Sequence, residues 1–78
     1  MVTNGYIGAM CREFRETMTC YSQSDVAKDM HISREQVSKF ERGVRPSTIA
    51  FMWYIKNGLF EWIPPVRWNG WIGYHEET

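Results

Sequence analysis

The stretch that decides the fold is SQSDVAKDMHISREQVSKFERGVRPS, residues 22–47, because it holds two short helical patterns separated by a brief break. On either side of the break, apolar residues recur at the three- and four-residue spacing of a helix. Ser22 is a typical N-cap residue and predicts a helix over Gln23–Met30. Ser33 is a second such residue and predicts a helix over Arg34–Arg42. The stretch therefore predicts two short helices joined by a three-residue turn.

The second of these helices has an apolar face and a charged face. Val37, Phe40 and Glu41 are predicted to face inward. The predicted outward face consists of Arg34, Glu35, Ser38, Lys39 and Arg42. Gln36 stands three residues after Ser33 and is predicted to complete a capping box with it. Helices this short are marginal alone, so packing against neighbouring helices must hold both of them.

Helical patterns also flank this pair. Residues 7–18 carry one apolar stripe, and Ser47 is predicted to cap a helix over Thr48–Asn57 that is apolar on nearly every face. Leu59–Ile63 is apolar and precedes a Pro-Pro pair, which stops a helix. Asn-Gly between two tryptophans, within residues 66–74, is typical of a β-hairpin turn.

Together these patterns predict an all-α fold, a compact four-helix domain with a Trp-rich C-terminal extension. The domain is predicted to span residues 1–58 and the extension residues 59–78, where a short β-hairpin is one arrangement. Aromatic side chains in such an extension favour packing onto the domain or onto a second copy of the chain. A surface for another protein is the next alternative, and stacking on unpaired bases a third.

Composition excludes several function classes. The chain has 78 residues, zero net charge and two cysteines, too few for a disulfide framework. The sequence contains no cysteine–histidine spacing typical of zinc, no phosphate loop and no catalytic arrangement, so neither an enzyme nor a cofactor is expected. With no apolar run that would span a bilayer and no signal-peptide pattern, a cytoplasmic, nucleoid-associated protein without membrane contact is expected.

The charge distribution says more than the net charge. Residues 1–58 hold eight Lys or Arg and six Asp or Glu, whereas residues 59–78 hold one Arg and three Glu. The helical part is thus mildly basic, and four of its basic residues lie between residues 31 and 45. Basic side chains on the second helix of such a pair suit contact with duplex DNA.

The residue types on that helix match the edges of bases. Arg34 and Lys39 suit the O6 and N7 acceptors of guanine, Gln36 suits adenine, and Glu35 suits the N4 donor of cytosine. Other side chains are placed for phosphate contact. The predicted DNA-contacting residues are Gln23, Ser33, Arg34, Glu35, Gln36, Lys39, Arg42 and Arg45.

The linked pattern resembles the Cro/C1-type (XRE) helix-turn-helix family. Ser-Gln opens the first helix, and Ile-Ser, Val-Ser and Glu-x-Gly-x-x-Pro follow at the family's spacing over roughly residues 7–58. The resemblance implies a lambda-repressor-like fold and a phage or mobile-element regulator, with Gln23 gripping a phosphate. It also implies an internal ion pair of Glu41 with an arginine of the first helix, for which Arg15 is the candidate.

Two departures from the family pattern bear on this resemblance. His31 stands where the family usually has glycine, a position that needs a left-handed backbone. The usual fifth helix is expected to be replaced by the aromatic extension. The resemblance further implies a homodimer on a palindromic operator, through the apolar residues Ile49, Met52, Trp53, Trp62, Trp68 and Trp71.

Two functions follow from these observations. The first is a sequence-specific transcriptional regulator, a repressor, that binds double-stranded DNA as a dimer. The alternative is a protein-binding module, such as an inhibitor or anti-repressor, that uses the same fold with the extension as its partner surface; zero net charge motivates it.

Overall fold

The computed structural model describes residues 4–63, and that part of the chain is all-helical. The helices are α1 (Asn4–Met18), α2 (Gln23–Met30), α3 (Arg34–Glu41), α4 (Thr48–Lys56) and α5 (Leu59–Trp62). The predicted all-α helix-turn-helix fold is confirmed. The predicted hairpin at residues 66–74 lies outside the described residues.

Side-chain caps set the starts of the three middle helices. The Ser22 hydroxyl oxygen accepts a hydrogen bond from the Asp25 amide, and the Asp25 carboxylate accepts one from the Ser22 amide, which completes a capping box. Ser33 and Ser47 likewise accept from the amides three residues on. These bonds satisfy amides that have no partner inside the helix, so each start lies where the sequence predicts it.

The turn between α2 and α3 is built on His31. His31 has φ 59° and ψ 42°, the left-handed conformation predicted for this position, and its amide bonds back to the carbonyls of Ala27 and Lys28. Ile32 then packs against the core from the turn. The turn fixes the angle at which α3 leaves α2 and so directs the exposed face of α3.

A close approach of α1 to α3 depends on Gly8. A Cβ atom built on Gly8 would lie 2.3 Å from the carbonyl oxygen of Phe40 and 2.7 Å from that of Glu41. Real Cβ atoms do not approach backbone that closely, so only glycine allows α1 to cross the end of α3 here. No pattern in the sequence predicts this crossing.

The core gathers residues from all five helices. Its buried members are Met10, Cys11, Phe14, Val26, Ala27, Val37, Phe40, Ala50, Trp53, Tyr54, Leu59 and Ile63. Leu59 and Ile63 follow the domain end predicted at residue 58, so the core continues past that boundary. Their burial also explains why a short α5 forms where the sequence analysis expected none.

Other predicted boundaries shift slightly. α1 begins at Asn4 rather than at residue 7, α3 ends at Glu41 with Arg42 as its C-cap, and α4 ends at Lys56 with Asn57 as its C-cap. Within residues 4–63, no helix is long and apolar enough to cross a membrane. The same residues contain no group of three His, Cys, Asp or Glu that could hold a metal ion.

Candidate nucleic-acid interface

The outer face of α3 is polar and charged. Arg34 and Glu35 are exposed in its first turn, and Lys39 is partly exposed one turn later. Lys39 Nζ lies 3.9 Å from Glu35 Oε2, beyond hydrogen-bond distance, so the two charges are close without being locked together. Both side chains therefore keep the freedom to turn toward a ligand.

A shallow groove brings several predicted contact residues together. Its lining residues are Ser33, Glu35, Gln36, Lys39 and Arg45. Arg45 follows α3 in the loop to α4, and its side chain is exposed. The groove thus joins the start of α3 to the loop after it.

Gln36 has a different partner from the one predicted. Ser33 Oγ accepts from the Gln36 amide, but the Gln36 side chain does not complete the capping box. Instead its Nε2 donates to Ser47 Oγ at 3.1 Å. The prediction of a full capping box at α3 is wrong, because the Gln36 side chain turns toward the N-cap of α4 and does not accept from the Ser33 amide.

Gln23 faces the interior as well as the start of α2. Its Nε2 donates to Glu41 Oε1 at 3.0 Å, and its side chain is partly buried. It also lines a cleft at the start of α2. The other residues lining that cleft are Arg12, Arg15, Glu16, Ser22, Ser24 and Arg34.

Glu41 is the centre of a buried polar cluster. Arg15 donates to both of its carboxylate oxygens, from Nε at 2.8 Å and from Nη2 at 3.0 Å. The Tyr54 hydroxyl and the Gln23 amide also donate to this carboxylate. Arg15 further donates to the carbonyl of Tyr21 at 3.2 Å. The cluster joins α1, α2, α3 and α4 around one fixed charge.

Electrostatics follow from this arrangement. Burial alone raises the pKa of the Glu41 carboxyl, but hydrogen bonds from Arg15, Tyr54 and Gln23 outweigh burial and leave that pKa below its usual range. Burial and the adjacent Glu41 charge raise the pKa of the Cys11 thiol to about 12 and push the pKa of Tyr54 well above its usual value. Glu41 is therefore charged at neutral pH, while Cys11 and Tyr54 are neutral.

Two residues in these contacts, Tyr54 and Ser47, were not predicted as partners from the sequence. Tyr54 sits on a helix that is apolar nearly all round, so its hydroxyl gave no signal of a buried acceptor. Ser47 was recognised only as a cap, and its bond to Gln36 joins residues eleven positions apart. Each contact depends on how α4 packs, which local pattern does not determine.

The predicted dimerisation residues separate into exposed and buried ones. Ile49 is 47% exposed and Met52 is 54% exposed, both on α4. Trp53 is only 2% exposed, so its assignment to a dimerisation face is wrong: its ring packs edge-on against Tyr54 and Tyr21. Trp62 is also turned inward.

The Trp62 ring lies 5.6 Å from the ring of Phe14, packed against the core. That contact leaves Trp62 only partly exposed, and its assignment to the dimerisation face stays a prediction. Trp68 and Trp71 lie outside the described residues.

Comparison with known proteins gives one match. A family model described as helix-turn-helix matches residues 12–52, more than half of the chain. The match begins in α1 and ends in α4, so it includes α2, the turn at His31 and the whole of α3. No curated protein and no solved structure matches the chain.

Proposed function

The chain belongs to the XRE-type helix-turn-helix family of DNA-binding regulators, and we propose that it is a sequence-specific repressor that binds a palindromic operator as a dimer. In this proposal α3 lies in the major groove of duplex DNA, and α2 crosses the backbone beside it. Two copies related by a two-fold axis present their α3 helices to two half-sites about one turn of DNA apart.

The observation that carries the proposal is the charge that reaches the surface around α3. Residues 33–47 contain four basic side chains, Arg34, Lys39, Arg42 and Arg45, all at least partly exposed. Of the two acidic side chains there, Glu41 is buried against Arg15, which leaves Glu35 as the acid at the surface. The face is therefore clearly cationic although the whole chain is neutral, and phosphate attracts such a face.

Base reading is assigned to the outer face of α3. Arg34 and Lys39 are proposed to donate to guanine, Gln36 to pair with adenine, and Glu35 to accept from cytosine. Ser33, which lines the same groove as Glu35, Gln36 and Lys39, is proposed to contact the backbone or a base edge.

Phosphate contact is assigned to the edges of this face. Arg42 and Arg45 are exposed beyond the end of α3, where the DNA backbone would pass. At the start of α2, Gln23 donates one Nε2 hydrogen to Glu41, and an amide nitrogen carries a second hydrogen that is proposed to reach a phosphate oxygen. Arg15 and Glu41 act structurally, since they hold Gln23 and α3 in place.

Binding to DNA selected from a random duplex pool, measured over a range of salt concentrations, tests the proposal. Arg34→Ala and Lys39→Ala are each expected to weaken binding to the selected site by about 1–3 kcal/mol, as the loss of one good base contact does. Lys56→Ala is the charge-matched control, because Lys56 lies in the last turn of α4 and pairs with Asp29 at 3.3 Å. Selection of no preferred sequence by the wild-type protein would contradict the proposal.

A protein-binding module is the second candidate, favoured by the exposed apolar side chains of Ile49 and Met52 on α4. The same titration separates the two functions. A protein-binding module predicts weak, sequence-independent DNA binding that Arg34→Ala and Lys56→Ala change equally.

A further inference from the structure

The side chain of Gln36 is hydrogen-bonded to the residue that caps the next helix. Its Nε2 donates to Ser47 Oγ at 3.1 Å, and the Gln36 side chain is partly buried at the edge of the α3 groove. Ser47 is the N-cap of α4, whereas Gln36 lies in the first turn of α3. The bond therefore links the reading helix directly to the helix that follows it.

The Ser47 hydroxyl is itself fixed. Ser47 Oγ accepts from the Ala50 amide at 3.2 Å, and Ala50 is fully buried in the core. This one bond is enough for a serine to cap the helix, because it satisfies a backbone N–H of the first turn. Ser47 Oγ also accepts the bond from Gln36. An oxygen that is fixed to the buried start of α4 therefore holds the Gln36 side chain at the groove that is proposed to face DNA.

We infer that Ser47 is a positioning residue for base reading by Gln36; the inference rests on the proposed function. A glutamine amide has two N–H donors and one carbonyl acceptor. One donor bonded to Ser47 leaves the other donor and Oε1, which together match the N7 acceptor and N6 donor of adenine. Ser47 thus acts through Gln36 and touches no base itself.

Fixing this side chain before binding has a measurable consequence. A glutamine side chain that is free before binding loses rotamer freedom when it binds. That loss lowers the affinity roughly two- to tenfold, relative to a side chain that is already fixed. Because Ser47 already restricts Gln36, its loss should reduce discrimination at the base pair that Gln36 reads. Contacts made by other α3 residues should be unaffected.

The experiment measures affinity for the selected DNA site and for three duplexes substituted at each base pair in turn. Gln36→Ala identifies the base pair that Gln36 reads, by the loss of preference there. Ser47→Ala is expected to lower discrimination at that same base pair two- to tenfold, and Ser47→Thr, which keeps the hydroxyl, is expected to restore it. Adding Ser47→Ala to Gln36→Ala should cause no further loss of discrimination.

Ser22→Ala controls for the loss of a helix cap, because Ser22 caps α2 through the same kind of bond to the Asp25 amide. It is expected to lower the melting temperature as Ser47→Ala does and to leave base discrimination unchanged. If Ser47→Ala weakens binding to every duplex equally, Ser47 is only a cap and the inference is overturned. If Gln36→Ala changes no base preference while the wild-type protein still selects a site, the inference fails and the proposed function stands.

Discussion

Glu41 carries the one buried negative charge among the described residues, and four donor groups hold it. Its pKa in the folded chain is lower than in the unfolded chain. A group of this kind stabilises the fold above its unfolded pKa, about 4.3 for glutamate, and that stability is lost as pH falls through the folded pKa. The cluster therefore makes the domain sensitive to acid.

Tyr54→Phe tests how much one hydroxyl of this cluster contributes to the acid sensitivity of the domain. The change keeps the ring in the core and removes one donor to the Glu41 carboxylate. We expect a loss of about 1.5–3 kcal/mol in the free energy of unfolding at pH 7, the usual worth of a hydrogen bond to a charged group. As pH falls and Glu41 takes up a proton, the difference from the wild-type protein should narrow.

Urea unfolding followed by circular dichroism between pH 3 and pH 7 measures this effect. Tyr21→Phe is the matched control, because Tyr21 is half exposed and the change keeps its ring contact with Trp53 and the carbonyl that Arg15 uses. A Tyr54→Phe deficit that stays constant down to pH 3 would show that the hydroxyl does not act through the Glu41 charge.

At the scale of helices, the crossing of α1 over the end of α3 limits what position 8 accepts. Gly8→Ala gains about 1 kcal/mol of helix propensity, but its Cβ would lie 2.3 Å from a backbone oxygen of Phe40. Because backbone yields less readily than a flexible side chain, we expect a net destabilisation of about 1–3 kcal/mol. Thermal or urea unfolding of the variant measures it.

Gly5→Ala is the control for helix propensity, since Gly5 lies on the same helix and is exposed. It should be neutral or slightly stabilising. Equal effects at positions 5 and 8 would mean that α1 does not pack against the α3 backbone as closely as the structure has it.

The helices that sequence predicts best are those with local signals. α2, α3 and α4 each begin after a serine whose side chain bonds three residues on, and the predicted starts agree with the structure. α5 has no side-chain cap, and it forms where Leu59 reaches the core, which a pattern of neighbouring residues does not reveal. The starts of these three helices were thus predictable, and the packing of the helices was not.

The candidate site shows the same division. Arg15 and Glu41 could be paired from a family resemblance, and the charged face of α3 from its periodicity. The contact of Gln36 with Ser47 could not be predicted, because it joins residues eleven positions apart and depends on how α4 packs beside α3. Trp53 was placed on the wrong face because an apolar helix has no periodicity that distinguishes inside from outside.

At the scale of the whole molecule, the proposed dimer must use less of α4 than the sequence suggested. With Trp53 buried, Ile49 and Met52 are the exposed members of the predicted dimerisation set among the described residues. A stable interface buries roughly 1,200–2,000 Å² in total, more than these two side chains supply. The proposal therefore also relies on Trp68 and Trp71, which were predicted to join the interface.

Met52→Gln tests the dimer against a matched methionine. Met52 is 54% exposed on α4, and Met18 is 55% exposed at the end of α1, so the two substitutions change exposed surface alike. If α4 joins two copies, Met52→Gln raises the dimer dissociation constant measured by sedimentation, roughly tenfold per 1.4 kcal/mol lost, and Met18→Gln leaves it unchanged. Binding to a palindromic site should weaken in parallel, because a neutral chain gains most of its affinity by presenting two cationic α3 faces together.

A wild-type protein that sediments as a monomer at high micromolar concentration would contradict the dimer and leave α3 to read a single half-site.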